Sequence, residues 1–493
     1  GDSLTAQAKV TLPAGPDPSV TIVASYKTDM PTLLAPVLKL GPIQSTGEID
    51  FTLEGKKIEL RRLAARIHDD HGFDMFQATA LRPFTFNLAT RQAAIIGIPD
   101  SKMVLRLDFA RLPLAALPLS LPGAKLGGFV AEGELGLEVD GDKVRVRAPH
   151  PFILNNVSLQ QNGRQVLTGL RVEAQPLLEL TGNTSARFET GTMVVMDGNG
   201  AMLAGLNAEA ARSTDSGLTG SLNFTLEVPA LATQPIFAGT RAVSAGRASG
   251  EVRVALGSAR QVEARLTVNG LVASASNEIL PVANISFRAV AQPDGKIAVQ
   301  APLLLDRAGV RSDLGLAVDL SPAGRGYLLD GKLTGQQVEL TDALAVLGVF
   351  MASAAETPLM AEAAVQPSVV ADAKPAWSRL TGRLALEVKS VMRGADWAMS
   401  GLTGLVVIEP ADITLQKLEA NFGEKGRFAA KGLVSFTRGP QPYDLAGDFS
   451  LTEFDAGKLF TALDPAKPAT IEGMFTVAGR FTGNGETLGR TLE

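Results

Sequence analysis

The sequence predicts a mainly β fold, a large antiparallel sheet with a few short helices. Three observations point there. Apolar and polar residues alternate with period two along many short stretches, which puts alternate side chains on opposite faces of a strand. Asp-Gly and Glu-Gly pairs recur between those stretches, and such pairs favour tight turns. Glycine makes up 50 of 493 residues, above the ~7% of average proteins, while segments with helical periodicity are short.

Taken in order, Ile49, Phe51 and Leu53 alternate with Glu48, Asp50, Thr52 and Glu54. Phe84/Phe86/Leu88 and Met103/Leu105/Leu107/Phe109 repeat the pattern. Leu135, Leu137 and Val139 lead into Asp140-Gly141, after which Val144 and Val146 alternate with Lys143, Arg145 and Arg147. That is the pattern of a hairpin. Later strands are expected at Val252/Val254/Leu256, Leu384/Leu386/Val388 and Phe449/Leu451, with turns at Glu54-Gly55, Asp197-Gly198, Asp294-Gly295 and Asp330-Gly331. So many one-sided strands imply one continuous apolar face. Either the sheet curls on itself, or that face is a groove kept for something else.

Four segments share a grammar of strand, polar turn and short apolar helix: Val20–Leu40, Leu105–Leu119, Tyr327–Phe350 and Tyr443–Leu463. Asp29 and Thr341 read as helix N-caps, with Pro31 suited to a first turn. The spacing is irregular, so this is a loose repeat. Residues 352–375 are rich in Ala, Pro and Glu and read as a loop or linker. A milder break covers Pro229–Gly250. The expected organisation is a β-rich repeat region over 1–350, a linker over 351–378 and a C-terminal β region over 379–493.

Composition narrows the chemistry. Hydrophobic residues make up 45% and charged ones 20%, which excludes a disordered tail. The chain has 3 His and no Cys, so the usual acid–base and thiolate machinery is scarce and no disulfide framework exists. A net charge of −5 lacks the basic footprint of nucleic-acid binding. The reading is of a protein that is not an enzyme and uses no cofactor. The chain begins Gly1-Asp2-Ser3-Leu4, without an initiating Met or signal peptide, and ends Thr491-Leu492-Glu493. It reads as a piece of a longer protein. No apolar run reaches the ~18 residues of a membrane span.

Candidate sites for catalysis or metal all have a simpler explanation. His68-Asp69-Asp70-His71 carries metal-ligand residue types but reads as a polar turn between strands. Gly326 to Gly331-Lys332 imitates a phosphate loop, yet Leu333 stands where Ser or Thr would hold magnesium. Gly483-x-Gly485 followed by Gly489 misses the dinucleotide spacing by one residue. Asp197-Gly198-Asn199-Gly200 lacks the later Glu of a calcium loop and reads as a hairpin turn. No Gly-x-Ser-x-Gly elbow occurs, and only His68, His71 and His150 could serve a triad. Lys56-Lys57 and Arg61-Arg62 read as solvated faces. No metal site is assigned.

The C-terminal stretch adds a resemblance. Tyr443-Asp444-Leu445-Ala446-Gly447-Asp448-Phe449 is followed by Phe454-Asp455-Ala456, Leu459 to Leu463, Ile471 to Gly479, and Gly483-Asn484-Gly485-Glu486-Thr487-Leu488. This order of strand, short helix, Gly-containing strand and Gly-x-Gly-x-Thr-Leu turn resembles the C-terminal region of AsmA-like proteins, the relatives of the TamB and YhdP groups. It covers about 50 residues well. The resemblance implies an elongated, twisted β-groove in the periplasm of a Gram-negative bacterium, tethered to the inner membrane by a segment outside this chain. It further implies that phospholipid acyl chains pass along the groove between inner and outer membranes. The residues expected to line it are Phe51, Leu53, Leu135, Leu137, Val139, Leu384, Leu386 and Val388. Two rival readings remain: a scaffold for outer-membrane biogenesis, and a secreted β-rich adhesin.

Overall fold

A computed structural model describes residues 4–12, 19–28, 43–69, 71–97, 102–116, 123–140, 142–161, 163–182, 184–214, 217–237, 243–257, 260–273, 277–350, 375, 377–393, 397–423, 425–455 and 473–486. The chain is mainly β, with two short α-helices among the described residues. It divides into two units. The first holds residues 1–237 with 255–257, the second 238–254 with 258–493. The division falls inside the Pro229–Gly250 stretch. No helix among the described residues is long and apolar enough to cross a membrane.

The first unit opens with β1 (Leu4–Thr11), β2 (Ser19–Thr28), β3 (Ile43–Glu54) and β4 (Lys57–Asp69), joined in an antiparallel ladder. Beyond β4 the ladder forks. One half of β4 pairs with β5 (Asp74–Ala80), the other with β6 (Phe84–Asn87), which carries β7 (Ala93–Ile95). β8 (Met103–Phe109) joins β5 to the long strand β10 (Ala124–Asp140), with the two-residue β9 (Leu112–Pro113) beside it. From β10 run two tracks. One is β11 (Lys143–Arg147), β14 (Leu177–Thr181) and β15 (Ser185–Glu189); the other is β12 (Phe152–Gln161), β13 (Arg164–Ala174) and β16 (Met193–Met196). Both meet on β17 (Met202–Ser213), which pairs with β18 (Gly217–Glu227). Helix α1 (Val228–Ala232) follows.

Among the described residues two buried clusters lie in the core of this unit. Ile67, Met75, Leu112, Leu114 and Val130 make one, extended by an aromatic run in which Phe109 lies 5.2 Å from Phe76 and 5.6 Å from Phe152. Phe84, Ala93, Val104, Val139 and Val144 make the other.

The second unit is a single ladder. It runs β19 (Val243–Leu256), β20 (Arg260–Ala273), β22 (Val282–Ala291), β23 (Ile297–Arg307), β24 (Val310–Ala323) and β25 (Gly326–Glu339), with β21 (Glu278–Ile279) a short hairpin partner of β20. It continues through β26 (Leu380–Arg393), β27 (Trp397–Ile408), β28 (Asp412–Phe422), β29 (Gly426–Phe436), β30 (Tyr443–Asp455) and β31 (Met474–Gly485). From β20 onward the pairings among the described residues are antiparallel except β25–β26, which is parallel. A parallel pair needs a connection that returns the length of the strand. Helix α2 (Leu340–Phe350) begins that connection.

Helix α2 is pinned at its first turn. The Asp342 carboxylate, 3% exposed, takes a 2.7 Å ion pair from Arg307 Nε at the end of β23. The Glu339 backbone N–H donates 2.7 Å to Ser312 Oγ, and the Thr341 N–H donates to Glu339 Oε1 at 3.4 Å. The cap is therefore Glu339 and not Thr341, which already lies inside the helix. A carboxylate reaches back to the N–H two residues on as a hydroxyl would, and the acidic charge suits the positive helix end.

Other expectations shift in detail. Asp330-Gly331 is no turn. It lies in the middle of β25, and the chain reverses at Gly324 (φ 57°) between Ala323 and Gly326. Asp330 also meets Arg383 across the parallel pair, 3.1 Å away, but an exposed ion pair adds little; it is the pairing of Asp330 and Gly331 with β24 on one side and β26 on the other that overrides the local turn preference. Gly483 and Gly485 lie within β31 and do not form a turn. The second copy of the strand–helix grammar shortens to β9 and a 3-10 turn, Leu114–Ala116. Asp29, Pro31, the helices expected after them and after Phe454, and residues 351–374 lie outside the described residues. The hairpins at Glu54-Gly55, Asp197-Gly198 and Asp294-Gly295 are present, and β10 and β11 pair up to Asp140 and Lys143, with Gly141 outside the described residues.

Removing Arg307 leaves a buried carboxylate without its cation. The substitution Arg307→Ala is expected to destabilise the second unit by about 3 kcal/mol, read as a lower urea midpoint with an unchanged slope.

Candidate apolar binding face

The register of the second ladder sorts its side chains. Pairings link Leu316, Leu333, Leu386, Gly404, Leu418, Ala430, Phe449 and Gly479 into one row across β24–β31. Two residues along each strand, or three on the bulged β28, a second row joins Val318, Gly331, Leu384, Val406, Leu415, Gly432, Gly447 and Phe481. A third joins Leu320, Leu329, Gly382, Ile408, Ile413, Val434, Leu445 and Gly483. These residues share one face because strand side chains alternate. The opposite face carries Asp330 against Arg383, Thr334 against Glu387, and Lys431, Asp448 and Arg480 in line.

The apolar rows are not sealed. Leu316, Leu333, Leu384, Leu386, Val406 and Leu418 are half-buried, and Phe449 and Phe481 are exposed. Val477 and Phe475 beside them are exposed as well. Neighbouring strands shield such side chains partly, whereas a second layer would bury them. Glycines deepen the face. Phe449 lies over Gly479 and Phe481 over Gly447, so that a Cβ at either glycine would overlap a ring.

Both ends of the strands are walled. At one end Val338, Val388 and Val391 form a buried cluster on which Leu340 and Ala343 of α2 pack, with Leu314, Met399 and Leu402. Phe422 and Phe454 continue that wall. At the other end a turn at 377–380, closed by a 2.7 Å hydrogen bond from the Leu380 N–H to the Trp377 carbonyl, leads into β26. The Trp377 ring reaches Tyr443 of β30 at 6.0 Å, and Tyr443 meets Phe436 at 5.2 Å. From β26 to β30 is four strand spacings, roughly 19 Å, so the turn and ring reach inward across the apolar face. Tyr443 shares that face with Leu445, Gly447 and Phe449.

The expected groove residues separate accordingly. Leu384 and Leu386 lie in the open rows, while Val388, 5% exposed, belongs to the wall under α2. In the first unit Phe51 pairs with Ile22 and Leu60, and Leu53 with Val20 and Ile58, on a half-buried apolar face. Leu135 faces Leu107 and Leu137 faces Leu105 and Val146. Val139, 4% exposed, is core, with Leu137 packed against its cluster.

Sequence reading passed over the strand ends, where Trp377, Tyr443, Phe436 and Phe454 sit. An aromatic just outside each alternating run was the available signal. His68 and Asp74 form a 2.7 Å contact across the turn, and the Asp69 carboxylate accepts from the N–H groups of His71 and Phe73. Those residues shape a turn. The Asp197 carboxylate does the same for Asn199 and Ala201. Lys332 lies on the polar face of β25, 2.6 Å from Glu387, so the phosphate-loop imitation is one uninterrupted strand.

The polar face has its own shallow depression of about 650 Å³, floored by Ala429, Ser450 and Ala478 and edged by Lys417, Lys431 and Arg480. Its cations are matched. Arg480 and then Lys431 hold the Asp448 carboxyl below its ordinary range, and Arg383 does the same to Asp330. In the first unit Arg145 and Lys143 act likewise on Glu179.

The chain matches no protein-family model, no curated protein and no solved structure.

Two outcomes follow for this face. Gly479→Ala is expected to displace Phe449 and to cost about 1–3 kcal/mol, measured by thermal unfolding. The depressed carboxylates titrate lower folded than unfolded, so the stability they add is complete at neutral pH. It is lost as pH falls through and below the ordinary carboxylate range near ~4. The urea midpoint is expected to fall on acidification, and to fall less in Asp448→Asn.

Proposed function

We propose that this protein binds lipid, and that it carries phospholipid acyl chains on its apolar β face between the membranes of a Gram-negative envelope without catalysing a reaction. The observation that supports this most is the set of continuous apolar rows across β24–β31, half-exposed and walled at both strand ends. Acyl chains gain roughly 0.8 kcal/mol for each CH₂ taken from water, and a trough of this kind shelters them while headgroups stay wet. The AsmA-like resemblance of Tyr443–Leu488 points the same way. On this reading the chain lies in the periplasm, its membrane partners are reached through segments outside it, and neither nucleic acid nor a cofactor takes part.

Native mass spectrometry of the purified chain, with identification of extracted lipid, tests the proposal. Co-purifying phospholipid is expected. It should fall on the order of a hundredfold in Leu333→Asn/Leu386→Asn, because each Leu contributes on the order of 1.5 kcal/mol of apolar contact when covered. The urea midpoint should move little, since both side chains are already half-exposed. A well-folded, lipid-free protein would shift the reading to a scaffold whose sheet edges engage partners.

A further inference from the structure

At the Trp377 end the wall of the apolar face carries one unsatisfied polar atom among the described residues. Trp377 is 6% exposed, and its indole N–H donates no hydrogen bond among the described residues. A Trp N–H is a donor only, and buried donors are seldom left without an acceptor. Around it stand the Tyr443 ring and, beyond that, Phe436. The adjoining row, Ile408, Ile413, Val434 and Leu445, brings side chains with no acceptor at all. Among the described residues nothing accepts from this N–H, so a ligand that satisfies it from the apolar face brings an oxygen attached to hydrocarbon.

We propose that Trp377 anchors the polar end of an acyl ligand: its indole N–H donates to an ester or carboxylate oxygen at the head of the chain. This rests on the reading of the face as an acyl-chain site and adds polarity and orientation to it. From Leu380 to Val388 a strand advances roughly 26 Å, so an extended acyl chain fits along β26 between the two walls. The head lies at Trp377 and the methyl end points towards α2. Tryptophan suits such a boundary, since its ring packs against hydrocarbon while its N–H seeks an acceptor.

The chain has two tryptophans, so Trp397→Phe leaves Trp377 as the sole indole fluorophore. That protein is mixed with phosphatidylcholine vesicles whose acyl chains are brominated either near the ester or near the terminal methyl. Strong quenching by the first and weak quenching by the second is expected. In parallel, Trp377→Phe keeps the aromatic stack and removes the donor. It should weaken phosphatidylcholine binding about five- to tenfold, the worth of one hydrogen bond, and leave binding of a plain brominated alkane unchanged. Equal or reversed quenching overturns the orientation, and undiminished phospholipid binding by Trp377→Phe overturns the anchor, while in both cases the acyl-chain reading stands. Absence of binding of either brominated lipid to the Trp377-containing protein overturns the anchor and the acyl-chain reading together. The quenching arm needs no substitution at Trp377, so a folding defect in Trp377→Phe does not decide the outcome.

Discussion

A strand shows its two faces on alternate residues, so a ladder keeps one apolar side only if every pairing holds its register. A slip of one residue anywhere between β24 and β31 would carry a whole strand of leucines to the charged side. The chain protects register with bulges. On β28 the apolar residues fall at Ile413, Leu415, Leu418, Ala420 and Phe422, out of step by one in the middle. Leu405 pairs with Lys417 but Val406 pairs with Leu415, so Gln416 is absorbed as the extra residue and both halves face the same way. β4 repeats the device: Asp50 pairs with Arg62 and Phe51 with Leu60, leaving Arg61 unpaired in the ladder. Arg61 then reaches Asp50 and Glu59 on the wet face.

The single parallel pairing in the second unit shapes what lies on its apolar face. Antiparallel neighbours can be joined by hairpins that stay within the sheet. The β25–β26 pair requires the chain to leave one end of the strands and return at the other. It leaves through α2, locked by Arg307 and Asp342, and returns through the turn that carries Trp377. Both anchors rest on the apolar side, one on Val388 and Val391, the other on Tyr443. The same topological demand that makes this pairing costly to form therefore supplies the two walls.

Much of the strand content was legible because period-two alternation is local. Met103, Leu105, Leu107 and Phe109 span β8, and Leu384, Leu386 and Val388 fall in β26. Reading failed where a distant partner overrode a local preference. Asp330-Gly331 has the letters of a turn, yet β26, more than fifty residues away in sequence, pairs with β25 through both residues and keeps them in mid-strand. Thr341 has the letters of a cap, yet the contacts of Ser312 and Arg307 go with a helix that starts two residues earlier, capped by Glu339. Arg61-Arg62 looked like an ordinary solvated pair, though the phase change around it, from Ile58 and Leu60 to Leu63 and Ala65, already marked a bulge.

The sequence by itself determined that the chain is mainly β, that its strands have one apolar side, and where most hairpins turn. Those features depend on neighbours one or two residues apart. Only the tertiary structure decided which apolar residues are closed core and which stay open. Val139 and Val388 alternate as cleanly as Leu384 and Leu386, but the first two meet side chains from other strands or α2 and lose their water. Leu384 and Leu386 meet their ladder neighbours and remain half-buried. Exposure depends on what covers a face, and covering is a property of chain segments far apart in sequence, which no local pattern encodes.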